Sequence, residues 1–326
     1  MPMGLSNYRA SLTRFQSFIA LLILCIALSL LSNKFLTIEN GWNVLRQISV
    51  NVCISVGMTL VVLTAGIDLS VGSILAFSGA VAAGLLKNGI PWPAHDLFIG
   101  FTLLGTIVAA LIVGAALGFF NGWMITRFKV PPFVATLAML TIARGLTMLW
   151  TKGYPISSLG SKFDFIGSGW LLGIPVLVWI SAITVILAVV LVRKTPLGRY
   201  IYAIGGNEQA ARLSGIHINR VKIIVYTIGG ILAAVGGIMV TSRLDSAQPN
   251  AGSNYELDSI AAVVIGGTSL SGGRGTIMGT VLGAIIIGVL NNGLVLLDVS
   301  PFWQQVIKGL VILLSVIVDK MNSKEA

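Results

Sequence analysis

"LTAGIDLSVGS", residues 63–73, sets a carboxylate and two glycines between two long apolar runs, 43–65 and 69–87. Each run is long enough to cross a bilayer as a helix, which takes about 20 residues. A charge at the bilayer centre costs about 2.5–3.5 kcal/mol on insertion scales, whereas each Leu, Ile, Val or Phe returns about 0.3–0.6. Asp68 must therefore face protein or water. Gly66 breaks the chain before it, and Asp68 is placed to cap the third helix by accepting from the free amides near Ser70 and Val71. Interrupted helices also line solute paths in transporters, so Asp68 and Ser70 are candidates for a path or gate as well as for a cap.

The whole chain supports a membrane reading. Of its 326 residues 56% are hydrophobic and 10% charged, far below the quarter that an average soluble domain carries. The net charge of +10 lies in short connections between apolar runs, which argues against nucleic acid as a partner. Cys25 and Cys53 sit within apolar runs and imply neither a disulfide framework nor a metal site.

Apolar stretches fall at 15–33, 43–65, 69–87, 97–124, 131–151, 171–192, 221–241, 257–272, 275–297 and 300–318, the eighth being short and glycine-rich. With the N-terminus in the cytoplasm, the inner connections collect Arg9, Arg14, Arg127, Lys129, Arg193, Lys194, Arg199, Arg212, Arg220, Lys222, Arg274, Lys320 and Lys324. The outer ones hold only Lys34, Arg46, Lys87, Lys152, Lys162 and Arg243. The positive-inside rule then puts both termini in the cytoplasm. The reading is an all-α, polytopic membrane protein: about ten transmembrane helices in one transmembrane domain over 1–326, with at least one interrupted helix. Gly114, Gly118 and Gly122, and again Gly279 and Gly283, repeat the spacing that lets helix backbones approach closely.

Further polar groups fall at membrane depth: Asn51 and Ser55 in the second run, Arg144 in the fifth, Asn291 and Asn292 in the ninth, Lys308 in the tenth. Each alone is more often an interhelical hydrogen bond than a ligand contact. Together they suggest an enclosed wet cavity, with Asn51, Asp68, Ser70, Arg144, Asn291 and Asn292 as candidates to line it.

Catalytic equipment is sparse. There is no phosphate-binding loop, no H-E-x-x-H, no C-x-x-C and no G-x-S-x-G, and His95 and His217 stand alone in polar connections. No catalytic residue, metal or cofactor is assigned. "LSGGR", residues 270–274, looks like the signature with which ATP-binding-cassette ATPases contact nucleotide. Here it joins two apolar runs and reads as a glycine turn held on the cytoplasmic side by Arg274.

The polar stretch at about 193–222 carries a different signal. In "GGNEQAARLSGI", residues 205–216, Asn207 is an N-cap, Glu208 an acid in the first turn, and Gly215 a terminator. The result is a helix of about two turns outside the membrane, with Glu208 and Arg212 at an i, i+4 spacing. Physics alone leaves it open between a solvated linker and a contact surface.

These stretches, with "FVATLAMLTIARGLTM" (133–148), "TPLGRYIYAIGGNEQAARLSGI" (195–216), "SAQPNAGSNYELDSIAAVVIGGTSLSGGRGT" (246–276) and "LNNGL" (290–294), closely resemble the membrane-spanning permease subunits of bacterial ATP-binding-cassette sugar importers, the ribose-type group in particular. The resemblance implies two copies of the permease forming a path, a cytoplasmic ATPase subunit driving it, and a periplasmic sugar-binding protein delivering substrate. It places the chain in the bacterial inner membrane. Glu208, Ala210, Ala211, Arg212 and Gly215 are similar to the Glu-Ala-Ala…Gly helix by which related permeases meet their ATPase, although Gln209 interrupts the pattern and the glycine falls one place late. The alternative from another class is a self-sufficient secondary transporter or channel, motivated by Asp68 and Arg144 at membrane depth.

Overall fold

A computed structural model describes residues 4–92 and 97–324, so His95 lies outside the described residues, as do the side chains through residue 16, those of residues 91, 92, 97 and 98, and those from 318 onward. The described chain is mostly helical. In order come α1 (Gly4–Leu31), α2 (Ile38–Leu63), α3 (Val71–Asn88), α4 (Leu103–Arg127), α5 (Pro132–Thr151), α6 (Ser161–Ser168), α7 (Val176–Lys194) and α8 (Pro196–Gly206). They are followed by α9 (Glu208–Leu213), α10 (Ile218–Arg243), α11 (Tyr255–Ile265), α12 (Ile277–Leu296) and α13 (Pro301–Lys324). Among the described residues, strands are confined to three two-stranded antiparallel pairs, 90–92 with 97–99, 156–157 with 246–247 and 170–171 with 174–175, and none closes a sheet.

Helix starts follow the local chemistry. Thr37, Thr102 and Thr276 each turn a hydroxyl onto the amide three residues on, and Pro132 and Pro196 occupy the first turn, where a missing N–H costs nothing. Seven helices, α2, α3, α4, α5, α7, α10 and α12, are long and apolar enough to cross a membrane. The apolar parts of α1 and α13 are shorter, Ser17–Leu31 and Pro301–Ile317. The eighth apolar stretch differs most from its sequence reading, since its helix stops after 11 residues. At 1.5 Å per residue α11 reaches about 16 Å, roughly half of a hydrocarbon core. Gly266 and Gly267 end it, and Gly267 takes a positive φ of 79° that lets the chain turn.

Burial sorts the helices into an inner and an outer set. The apolar window of α2 is 83% buried and that of α4 only 22%. Side chains such as Leu104, Ile112, Ile186 and Leu187 stand in the open on α4 and α7, a surface that suits lipid as solvent. At the centre α10 packs against α4, α3 and α2.

Lipid offers helices no hydrophobic drive to associate, so close backbone contact carries the packing. A Cβ at Gly114 would strike the carbonyl of Gly230, one at Gly118 that of Tyr226, and one at Gly122 would lie 2.7 Å from the Cα of Ile223, all on α10. Gly279 and Gly283 meet the carbonyls of Gly266 and Ala262 in the same way, clamping α12 to α11. Both glycine series thus do what their spacing predicts.

Candidate docking segment and buried polar groups

The segment 193–222 folds as two short helices. α9 begins at Asn207, whose Oδ1 accepts from the Ala210 amide at 2.9 Å. It ends in a Schellman motif: the Ile216 amide donates to the Ala211 carbonyl and the Gly215 amide to the Arg212 carbonyl, with Gly215 at a φ of 82°. The helix and both of its boundaries match the sequence reading.

Its faces are unequal. Ala211 is buried against the protein's own core, while Ala210, Arg212, Ser214 and Gly215 are exposed and Leu213 is 90% exposed. Ala211 therefore anchors the helix, and a partner would meet the other face. Glu208 Oε2 accepts from Lys222 Nζ of α10 at 2.7 Å, and Glu208 Oε1 from Arg212 at 3.4 Å. The i, i+4 pair was legible in the sequence, but the stronger tie to Lys222 was not, because it depends on how α10 folds back. A groove of about 320 Å³ runs beside α9, lined by Leu197, Tyr200, Ser214, Gly215, Ile216, His217, Arg220, Val221 and Ile224.

Behind α9, three segments converge. A Cβ at Gly205, near the end of α8, would overlap the Leu63 carbonyl and the Gly273 amide, and that amide donates to Leu63 at 3.0 Å. A Cβ at Gly272 would lie 2.9 Å from the Ala65 side chain. The stretch 270–274 is therefore a turn between α11 and α12, with Gly272 and Gly273 at positive φ, seated on the break between α2 and α3.

In that break, Asp68 is completely buried. Its Oδ1 accepts from the Ser70 amide at 2.9 Å and from the Ser70 hydroxyl at 2.6 Å. Ser70 Oγ accepts in turn from Asn121 Nδ2 of α4 at 2.9 Å, and Thr136 of α5 donates to the Ile67 carbonyl at 3.2 Å. The amide of Ser70 is held as the sequence predicted, although Ser70 itself is the residue that borders the helix.

The remaining polar candidates fall into separate groups. Arg144 donates to the carbonyls of Pro249 and Ala251 at 2.8 and 2.9 Å, fixing the irregular stretch before α11. Asn292 exchanges hydrogen bonds with Asn40 of α2. Asn291 donates to Asp258 Oδ2 at 3.5 Å, and the same oxygen takes Lys308 Nζ at 3.1 Å. Asn51 is buried with no hydrogen-bond partner among the described residues. Sequence reasoning missed Asn40, Asn121, Tyr226 and Asp258; Asn121 and Asp258 lay within predicted spans, 97–124 and 257–272, and carried the visible signal of a polar group at membrane depth.

The arrangement is that of a membrane domain with an exposed helical foot, and comparison with known proteins agrees. Residues 41–316 match the family described as the branched-chain amino acid transport system / permease component. The chain belongs to this permease family. The permease is 50% identical over 321 residues to the ribose import permease protein RbsC of Escherichia coli (strain K12), covering 97% of this chain and 96% of that one. It is 51% identical over 312 residues to RbsC of Bacillus subtilis (strain 168), covering 94% and 92%. The xylose transport system permease protein XylH of Haemophilus influenzae is 34% identical over 375 residues, covering 95% of the permease and 97% of the relative. No solved structure matches the permease.

Proposed function

We propose that this permease is the membrane-spanning subunit of an ATP-binding-cassette importer that carries ribose or a related monosaccharide across the bacterial inner membrane by alternating access. The observation that carries the reading is identity near 50% to ribose import permeases of two bacteria, over almost the full length of both chains. Supporting it, α9 presents Ala210, Arg212 and Leu213 outward beside a groove, on a membrane domain whose sequence lacks a phosphate loop. ATP hydrolysis then belongs to a cytoplasmic ATPase subunit that grips α9, and selection of the sugar to a periplasmic binding protein.

The same reading makes 1–326 a single transmembrane domain with 193–222 as its coupling loop, both termini cytoplasmic, and a second copy completing the path. It counts ten membrane crossings: the seven long helices, α1, α13 and the stretch 246–265, an irregular segment followed by the half-length α11, with α2 and α3 broken around Asp68. Among the polar candidates, Asn51 and Asn291 are assigned to the path. Asn51 is without a partner and Asn291 Oδ1 is buried without one, so both keep hydrogen-bonding capacity for a sugar hydroxyl. Ser70, Arg144 and Asn292 are assigned to holding the frame, because each is already engaged with the protein, and Asp68 to the helix break, where its Oδ1 holds Ser70.

The test is purification with the ATPase and binding protein, followed by ribose-stimulated ATP hydrolysis in the wild type, in Glu208→Lys and in Arg212→Glu. Loss of stimulation in the variants supports the docking role of α9. Full stimulation in both variants would remove α9 from the mechanism.

A further inference from the structure

Two buried polar atoms beside the helix break have no hydrogen-bond partner among the described residues: Asp68 Oδ2 and Tyr226 Oη. Asp68 makes no ion pair among the described residues, and its side-chain hydrogen bonds there, both with Ser70, fall on the other carboxylate oxygen. Tyr226, on α10, is 1% exposed, and its hydroxyl sits against the break, 2.5 Å from where a Cβ on Gly66 would be. A buried hydroxyl and a buried carboxyl oxygen left unbonded each carry an uncompensated desolvation penalty. A conformation in which the two atoms meet would relieve both penalties.

Both routes from the docking segment end here. Glu208 of α9 holds Lys222 at 2.7 Å, and Lys222 lies one helical turn before Tyr226 on α10. The end of α8 presses at Gly205 on the Leu63 carbonyl, and the chain from Leu63 leads directly into 64–70. A displacement of α8 and α9 therefore moves Tyr226 through α10 and Asp68 through the break, so their separation depends on the position of the docking segment.

We propose that Tyr226 is a positioning residue of the transport cycle, its hydroxyl unbonded in the conformation described and hydrogen-bonded to Asp68 Oδ2 in the one reached when the docking segment is displaced. The pair is then a two-state joint that both sites bias. Gly66 is required because a side chain there would occupy the space through which the hydroxyl moves.

The inference rests on the importer reading, and the test separates the two. The complete assembly of permease, ATPase and binding protein is reconstituted with D-ribose, and ribose moved per ATP hydrolysed is measured alongside the melting temperature of the assembly. Tyr226→Phe, which removes one oxygen, lowers ribose per ATP by about fivefold or more, the scale of a typical coupling energy. Asp68→Leu matches that loss, the double variant is no worse than either single one, and Asp68→Asn, which still offers Ser70 an acceptor and Tyr226 a donor, restores most of the ratio. Wild-type ribose per ATP in Tyr226→Phe, even with a lowered melting temperature, overturns the joint and leaves the importer reading intact. Fully additive losses in the double variant overturn it as well. A wild-type assembly that does not couple ribose to ATP overturns both.

Discussion

Asn40 and Asn292 exchange side-chain amides across the α2–α12 contact: Asn40 Nδ2 donates to Asn292 Oδ1 at 3.1 Å, and Asn292 Nδ2 to Asn40 Oδ1 at 2.8 Å. This reciprocal pair uses the polarity of Asn292 for helix packing. Asn292→Ala should lower the stability of the purified permease by about 1–2 kcal/mol, the scale of interhelical hydrogen bonds in membranes, while leaving uptake per folded molecule unchanged. Thermal melting and uptake measured on the same preparation check it. Abolished uptake at an unaltered melting temperature would return Asn292 to the path.

Gly118 allows α4 and α10 to touch backbone to backbone, its missing Cβ standing where the Tyr226 carbonyl lies. Gly118→Val should destabilise by about 1–3 kcal/mol through overpacking. Gly145 of α5 has nothing within 4 Å of the same position, so Gly145→Ala should be neutral or slightly stabilising. Equal melting temperatures for the two variants would contradict the packing account.

Glu208 serves both as an anchor to Lys222 and as part of the outward face of α9. Glu208→Lys sets two cations together, and the swap Glu208→Lys with Lys222→Glu rebuilds the pair in reverse. The swap should restore the stability lost in Glu208→Lys to within about 1 kcal/mol of the wild type, since it rebuilds a partly buried ion pair. Coupling to the ATPase should stay impaired, because the charge offered to the partner remains inverted. Recovery of full coupling by the swap would show that Glu208 acts only within the chain.

Most of the helices could be read from the sequence because lipid imposes one rule on every span, a long apolar run with its polar groups satisfied internally. The docking helix was legible for a different reason: Asn207, Glu208 and Gly215 carry local start and stop chemistry that needs no tertiary context. Gly114, Gly118 and Gly122 announced a close contact but not its partner, since the spacing marks a face without naming the helix that meets it. α11 was read too long because Gly266 and Gly267 do not lower the apolarity of the stretch, yet they end the helix. The site residues were least legible. Asn292 and Asn51 look alike in sequence, and only the fold gives one of them a partner; Tyr226 passed as an apolar span residue until α10 brought it against Gly66.

The most direct test is uptake of radiolabelled D-ribose into vesicles that contain the permease alone, or the permease together with its ATPase and binding protein. The account predicts uptake that requires all three proteins and ATP, with none from the permease alone under a proton or sodium gradient. Gradient-driven ribose uptake by the permease alone would contradict it.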